Sequence, residues 1–168
     1  TASFGQGIEV TPIQLARAIS AIANGGKLVK PYIVEKIVED KKTKETEPEI
    51  SSEQIISSDT ILQLTSMLVN VVEKGGAKGA KIPGYYIAGK TGTSQIPWPA
   101  LGISKKGYSE ETWQSFVGFA PAFKPRFLIL VKLDNPAVKD ASASAVPIFH
   151  ELAKYIIDYL EIPPDYEK

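Results

Sequence analysis

An ammonium, a hydroxyl, a residue without a side chain and a second hydroxyl follow one another at Lys90-Thr91-Gly92-Thr93. Such a set suits an anion: the lysine supplies charge, the threonines donate hydrogen bonds, and glycine lets another backbone approach closely. The same residues also fit an edge strand whose polar side chains merely face water. The elements around them have to decide between the two.

The nearest pattern is a phosphate loop. Gly84 to Thr91 matches G-x-x-x-x-G-K-T, and Phe127 to Asp134 is an apolar run ending in the acidic residue that would hold magnesium. A phosphate loop needs a tight backbone wrap feeding directly into a helix. Here two tyrosines and an isoleucine occupy the intervening positions, and Gly92, Pro97 and Pro99 follow the threonine. The sequence therefore predicts an extended strand over Tyr85–Ser94, broken by Pro97, Pro99 and Gly102, which disfavours a nucleotide hydrolase.

Other elements follow from local signals. Thr11-Pro12-Ile13-Gln14 is a capping box with proline at the first helical position, and Leu15, Ile19 and Ile22 carry a helix to Gly25-Gly26. Tyr32–Glu39 reads as a strand, turned at Asp40-Lys41-Lys42 into a polar edge strand over Thr43–Glu47. Ser58 with Asp59 caps a second helix whose apolar stripe is Leu64, Met67, Leu68, Val71 and Val72, stopped by Gly75-Gly76. Residues 78–84 form a loop. Gln95–Thr112 reads as a long surface loop of the kind that carries function. Trp113–Ala120 and Arg126–Asp134 form an antiparallel pair joined through Pro121–Pro125. A last helix spans Ser142–Leu160, with Val146, Phe149, Ala153, Ile156 and Leu160 inward and Pro163-Pro164 behind it. The order predicts an α+β fold, an antiparallel sheet covered by helices, with no internal repeat or domain boundary.

Lys90-Thr91-Gly92-Thr93 resembles the Lys-Thr-Gly motif of the penicillin-recognising serine transferases, which include penicillin-binding proteins and serine β-lactamases. The flanks make the likeness more specific. Gly5-Gln6-Gly7, Val10-Thr11-Pro12-Ile13-Gln14-Leu15-Ala16 and Ala23-Asn24-Gly25-Gly26-Lys27 precede the motif. Phe116-Val117-Gly118-Phe119-Ala120-Pro121 and Leu133-Asp134-Asn135-Pro136 follow it. Together they resemble the C-terminal half of a class B penicillin-binding protein transpeptidase domain, over nearly the whole chain.

The resemblance implies a partial transpeptidase fold and a serine acyl-transferase that crosslinks peptidoglycan stem peptides and is acylated by β-lactam antibiotics. It implies a bacterial membrane location facing outside the cytoplasm. The family's Ser-x-x-Lys and Ser-x-Asn motifs do not occur here; Ser104-Lys105-Lys106-Gly107 misplaces its lysines. The chain is thus expected to supply one wall of a site, with the nucleophile in a missing N-terminal half, and to be inactive alone. Its abrupt start at Thr1, without a basic or apolar leader, fits a chain cut from something longer. By the same resemblance, Lys90 lies near a D-alanyl or β-lactam carboxylate and near the Ser-x-Asn serine, and Thr91 and Thr93 bind that carboxylate. Gly92 lets substrate approach, and the Thr93 N–H is the second oxyanion-hole donor. Cell-wall synthesis proteins are the further partners implied. A non-catalytic binding module of the same fold is the alternative; sensors and β-lactamases share the motif but not the class B flanks.

Composition sets the remaining bounds. Lysine plus arginine balance aspartate plus glutamate at 19 each, so the chain lacks the cationic excess of a nucleic-acid binder. No cysteine and one histidine exclude disulfides, iron–sulfur clusters and multi-histidine metal sites within the chain, and no cofactor is expected. The longest apolar run, Phe127–Val131, is far short of the roughly 20 residues of a membrane helix. His150 reads as a structural residue of the last helix, and Trp98 and Trp113 as rim or core aromatics. Glu110-Glu111, Lys41-Lys42 and Lys105-Lys106 read as solvated charge.

Overall fold

The computed structural model describes residues 5–39 and 42–167. Its main body is an antiparallel sheet of β5 (Ala88–Pro97), β6 (Tyr108–Ala120) and β7 (Phe127–Asp134), in that spatial order. Helices α1 (Pro12–Ala23) and α2 (Ser58–Glu73) lie on one face, and α3 (Ala145–Tyr159) lies on the other. Before α2, β1 (Lys27–Val29) pairs with β4 (Ile50–Gln54), and β2 (Lys36–Glu39) with β3 (Lys42–Glu45), both antiparallel. The α+β architecture is the expected one.

Phe116 of β6 and Phe149 of α3 anchor the α3 face, edge to face with ring centroids 4.7 Å apart and both fully buried. The close approach depends on Gly118, where a Cβ would come 2.8 Å from the Phe149 ring. Phe119 anchors the opposite face, where Val69, Ala88 and Leu128 meet Ile19 and Ile22 of α1. Alternation along β6 thus feeds both faces, as expected for a central strand covered on both sides.

The capping box of α1 forms as its residues dictate: the Gln14 amide donates to the Thr11 hydroxyl, and Gln14 Oε1 accepts from the Thr11 N–H at 2.8 Å. In α2 the cap falls on Ser57 rather than Ser58, because the Ser57 hydroxyl reaches the Thr60 amide. Val72 is fully buried, as expected for the stripe, but Met67, also placed in it, is 61% exposed, and Thr65 and Val69 are the other buried positions. Likewise α3 starts at Ala145, and Leu160 faces solvent while Ile157 turns inward.

The largest differences lie where strands were read. Of the strand read over Tyr32–Glu39, Lys36–Glu39 forms; residues 32–35 lie outside it, although the Glu35 carbonyl accepts from the Thr46 amide at 2.8 Å. The polar return strand ends at Glu45, and the turn at Asp40-Lys41 lies outside the described residues. Strands β1 and β4 escape a reading by pattern because one is short and the other is Ile-Ser-Ser-Glu-Gln. The expected loop over Gln95–Thr112 is much shorter. Strand β5 continues to Pro97, a 3₁₀ turn covers Trp98–Leu101, and β6 begins at Tyr108, paired with Pro97. The loop over residues 78–84 opens with a 3₁₀ turn at Lys78–Ala80.

Candidate active site

Strand β5 pairs with β6 on one side only, so its other side is a free edge among the described residues. Tyr85–Ile87, read as its first residues, stay outside the sheet: the Tyr85 amide bonds the Ile82 carbonyl, the Tyr86 carbonyl accepts from the Ala122 amide, and the C-terminal tail takes the Tyr86 amide. The Tyr86 amide donates to the Asp165 carboxylate at 2.8 Å, and the Tyr85 hydroxyl to the Ile162 carbonyl at 2.7 Å. Gly84 accepts from the Asp165 amide at 2.8 Å. The tail therefore clamps the lead-in of β5.

The phosphate-loop reading is overturned here. Residues 88–97 run extended, and no helix begins at Lys90-Thr91. The backbone N–H groups needed to wrap a phosphate are spread along a strand instead.

An antiparallel strand directs the N–H and C=O of alternate residues toward its partner and those of the others away. The carbonyls of Ala88 and Val117 lie between the strands: Cβ atoms on Gly118 and Gly89 would come 3.0 Å and 3.1 Å from them. Ala88 and Lys90 thus bond β6, and the N–H and C=O of Thr91 and Thr93 point to the free edge. The Lys90 ammonium agrees with this parity, donating to the Thr91 carbonyl at 2.9 Å. Side chains follow the complementary rule. Lys90 and Gly92 leave from the α1/α2 face, Thr91 and Thr93 from the α3 face, and the lysine arm bends round the edge to within 3.5 Å of the Thr91 hydroxyl. A cation, two hydroxyls and outward N–H groups therefore gather at one exposed edge.

Gly92 also meets a constraint from within the sheet. Its Cβ would come 2.7 Å from the Ser115 hydroxyl, directly opposite on β6, so the neighbouring strand already restricts the position. Thr93 opposes Gln114, and its hydroxyl accepts from the Ala141 amide at 3.3 Å. This brings in the connection from β7 to α3, of which residues 135–141 take no element from the sequence and 142–144 read as the start of the last helix. Within this connection Ser142 donates hydroxyl and amide hydrogen bonds to Asp140, which hold that carboxyl below the usual range. Gln114 is fully buried and bonds both Val138 and Ser144. A glutamine between Trp113 and Phe116 on a strand that must be covered on both faces was the available signal.

The remaining candidates stay apart from this edge. Trp98 packs under the Lys105 ammonium at 4.7 Å and Trp113 under that of Lys132 at 5.1 Å, so both rings are partly covered by lysine. Glu110 and Glu111 are successive exposed residues of β6, within the stretch where its register against β5 shifts. His150 sits on α3 with Nδ1 buried and without a partner, away from the β5 edge. Among the described residues no group of acidic and histidine side chains has metal-binding geometry, and no helix is long and apolar enough to cross a membrane.

Comparison with known proteins gives this edge its setting. Residues 1–154 match the family model described as the penicillin binding protein transpeptidase domain. Stage V sporulation protein D of Bacillus subtilis is 36% identical over 169 residues, covering 98% of this chain and 25% of that protein. PbpB of Mycolicibacterium smegmatis is 34% identical over 170 residues, covering 95% of this chain and 26% of the other. The solved structure of penicillin binding protein 3 from Mycobacterium tuberculosis, complexed with ampicillin, superposes with a TM-score of 0.83 at 32% identity, over 97% of this chain and 38% of that one. The chain thus spans about a quarter of the length of these curated relatives. With a family match over most of its length, and a fold shared with a penicillin-binding protein, the chain belongs to the penicillin-binding protein transpeptidase domain family.

Proposed function

We propose that this chain forms one wall of the active site of a serine acyl-transferase that crosslinks peptidoglycan stem peptides and is acylated by β-lactams. The observation that carries the reading is the free edge of β5, where the Lys90 ammonium lies beside the carbonyl and hydroxyl of Thr91, and Thr93 follows two residues along the same strand. An extended D-alanyl terminus can align along such an edge as an added strand, with its carboxylate against Lys90, Thr91 and Thr93. Gly92 leaves that approach unobstructed. The outward Thr93 N–H is suited to donate to the oxyanion of the tetrahedral intermediate, a contact typically worth about 2.7–4 kcal/mol in other enzymes. The nucleophile and the proton-transfer serine belong to an N-terminal part of the same domain, and this chain is its C-terminal part. The ampicillin complex of the similar penicillin binding protein 3 supports β-lactams as ligands. The domain would work outside the cytoplasm of a bacterium, held at the membrane by a segment other than this chain, beside other cell-wall synthesis proteins.

Fluorescent penicillin tests the reading. The full-length protein should take up the label covalently, whereas the 168-residue chain alone should not. Lys90→Ala in the full-length protein should slow acylation about tenfold or more, as expected for loss of a charge-assisted hydrogen bond. An unlabelled full-length protein, an adduct on a serine of the isolated chain, or an unchanged rate in Lys90→Ala would each overturn it.

A further inference from the structure

We propose that Gln114 is a positioning residue for the anion-binding edge, acting through the Val138–Ser144 segment on the Thr93 hydroxyl. The inference rests on the reading of that edge as a carboxylate site.

Gln114 is fully buried on the α3 face of β6, two residues from Phe116 and directly opposite Thr93. A primary amide in such a place is costly unless its polar atoms are matched. Here both amide protons and the oxygen are used. Nε2 donates to the Val138 carbonyl at 2.7 Å and to the Thr112 hydroxyl at 3.0 Å, and Oε1 accepts from the Ser144 hydroxyl at 2.5 Å. One side chain therefore holds the segment at both ends, with Ser144 standing directly before α3. Between the two anchors Ala141 is 1% exposed, and its N–H donates to the Thr93 hydroxyl oxygen.

A hydroxyl has one proton to give and two lone pairs to offer. With Ala141 occupying a lone pair, the Thr93 O–H is left to turn toward the free edge, where a carboxylate would lie. Releasing the segment removes that orienting donor without touching Lys90 or the backbone of β5. A glutamine kept only for packing would affect stability but would have no energetic link to the Thr93 hydroxyl.

The test is a double-mutant cycle on acylation of the full-length protein by benzylpenicillin. Thr93→Val and Gln114→Met should each slow acylation about tenfold. The double variant should be no slower than Thr93→Val alone, because the glutamine has nothing left to act on. A wild-type rate in Gln114→Met, or losses that multiply in the double variant, overturns the inference. If Gln114→Met does not fold, Ser144→Ala enters the same cycle; it removes the donor to Oε1 together with the longer contact to the Asp140 carbonyl at 3.3 Å, leaves the Gln114 bonds to Val138 and Thr112 in place, and the same outcomes decide. A wild-type rate in Thr93→Val with a slowed Lys90→Ala removes this inference and leaves the carboxylate site standing. A wild-type rate in Lys90→Ala overturns the carboxylate site itself.

Discussion

Strands β2 and β7 are both rich in β-branched or large apolar residues, yet they end in opposite environments. In β7, Phe127–Asp134 packs between helices, with Val131 buried under α3 and Leu128 against the cluster beneath α1 and α2. In β2, every residue is exposed, with Ile37 at 48% and Val38 at 64%, and its sheet partner among the described residues, β3, is also exposed throughout. The same strand preference thus produces a load-sharing part of the core in one place and a solvated ribbon in the other. Propensity specifies the extended backbone; burial of apolar surface decides how much that backbone contributes to stability.

The contrast is sharpest at Phe149. Its ring fills the space over Gly118 and against Phe116, so Phe149→Ala should destabilise the protein by about 3–5 kcal/mol in denaturant unfolding. A loss under about 1 kcal/mol would mean that the α3 face is not the packed region described here.

A smaller effect is expected at the margin of the body, where Tyr85 meets the C-terminal tail. Tyr85→Phe deletes the hydrogen bond to Ile162 and should cost about 1 kcal/mol. Burial, then the carboxylates of Asp158 and Asp165, push the Tyr85 phenol above its ordinary value of 10.0. The neutral phenol is therefore favoured in the folded protein. Its stabilising contribution is present below the unfolded value and is lost as pH rises through the higher folded one. Thermal unfolding of the wild type should accordingly fall more steeply above about pH 10 than that of Tyr85→Phe. Parallel profiles would remove the tail clamp as a titrating contact.

The smallest effect belongs to the ribbon. Val38→Ala should change stability by no more than about 0.5 kcal/mol, read by the same denaturant unfolding. A loss comparable to that of Phe149→Ala would erase the distinction between the two regions.

What could be read in advance follows the same division. The α1 cap was legible because its donors and acceptors lie within one turn, and the β6–β7 hairpin because a short proline-bounded connection joins two apolar runs. Strands β1 and β4 were not legible, since partners on each side of the β2–β3 ribbon, not their own residues, hold them extended. Met67 and Leu160 were misplaced because helical periodicity gives a face but not its width or centre, which the neighbouring sheet decides.

At the site, the residues Lys90, Thr91, Gly92 and Thr93 and their extended backbone were written in the sequence, because residue type and strand preference are local properties. Which groups face the free edge was not, since that parity depends on pairing with β6. Nor was the seating of Ala141 on Thr93, which the buried Gln114 amide sets through a segment well separated from β5 in the chain. Hydrogen-bonding capacity belongs to the individual residue, but its direction is fixed only when distant parts of the backbone are packed together.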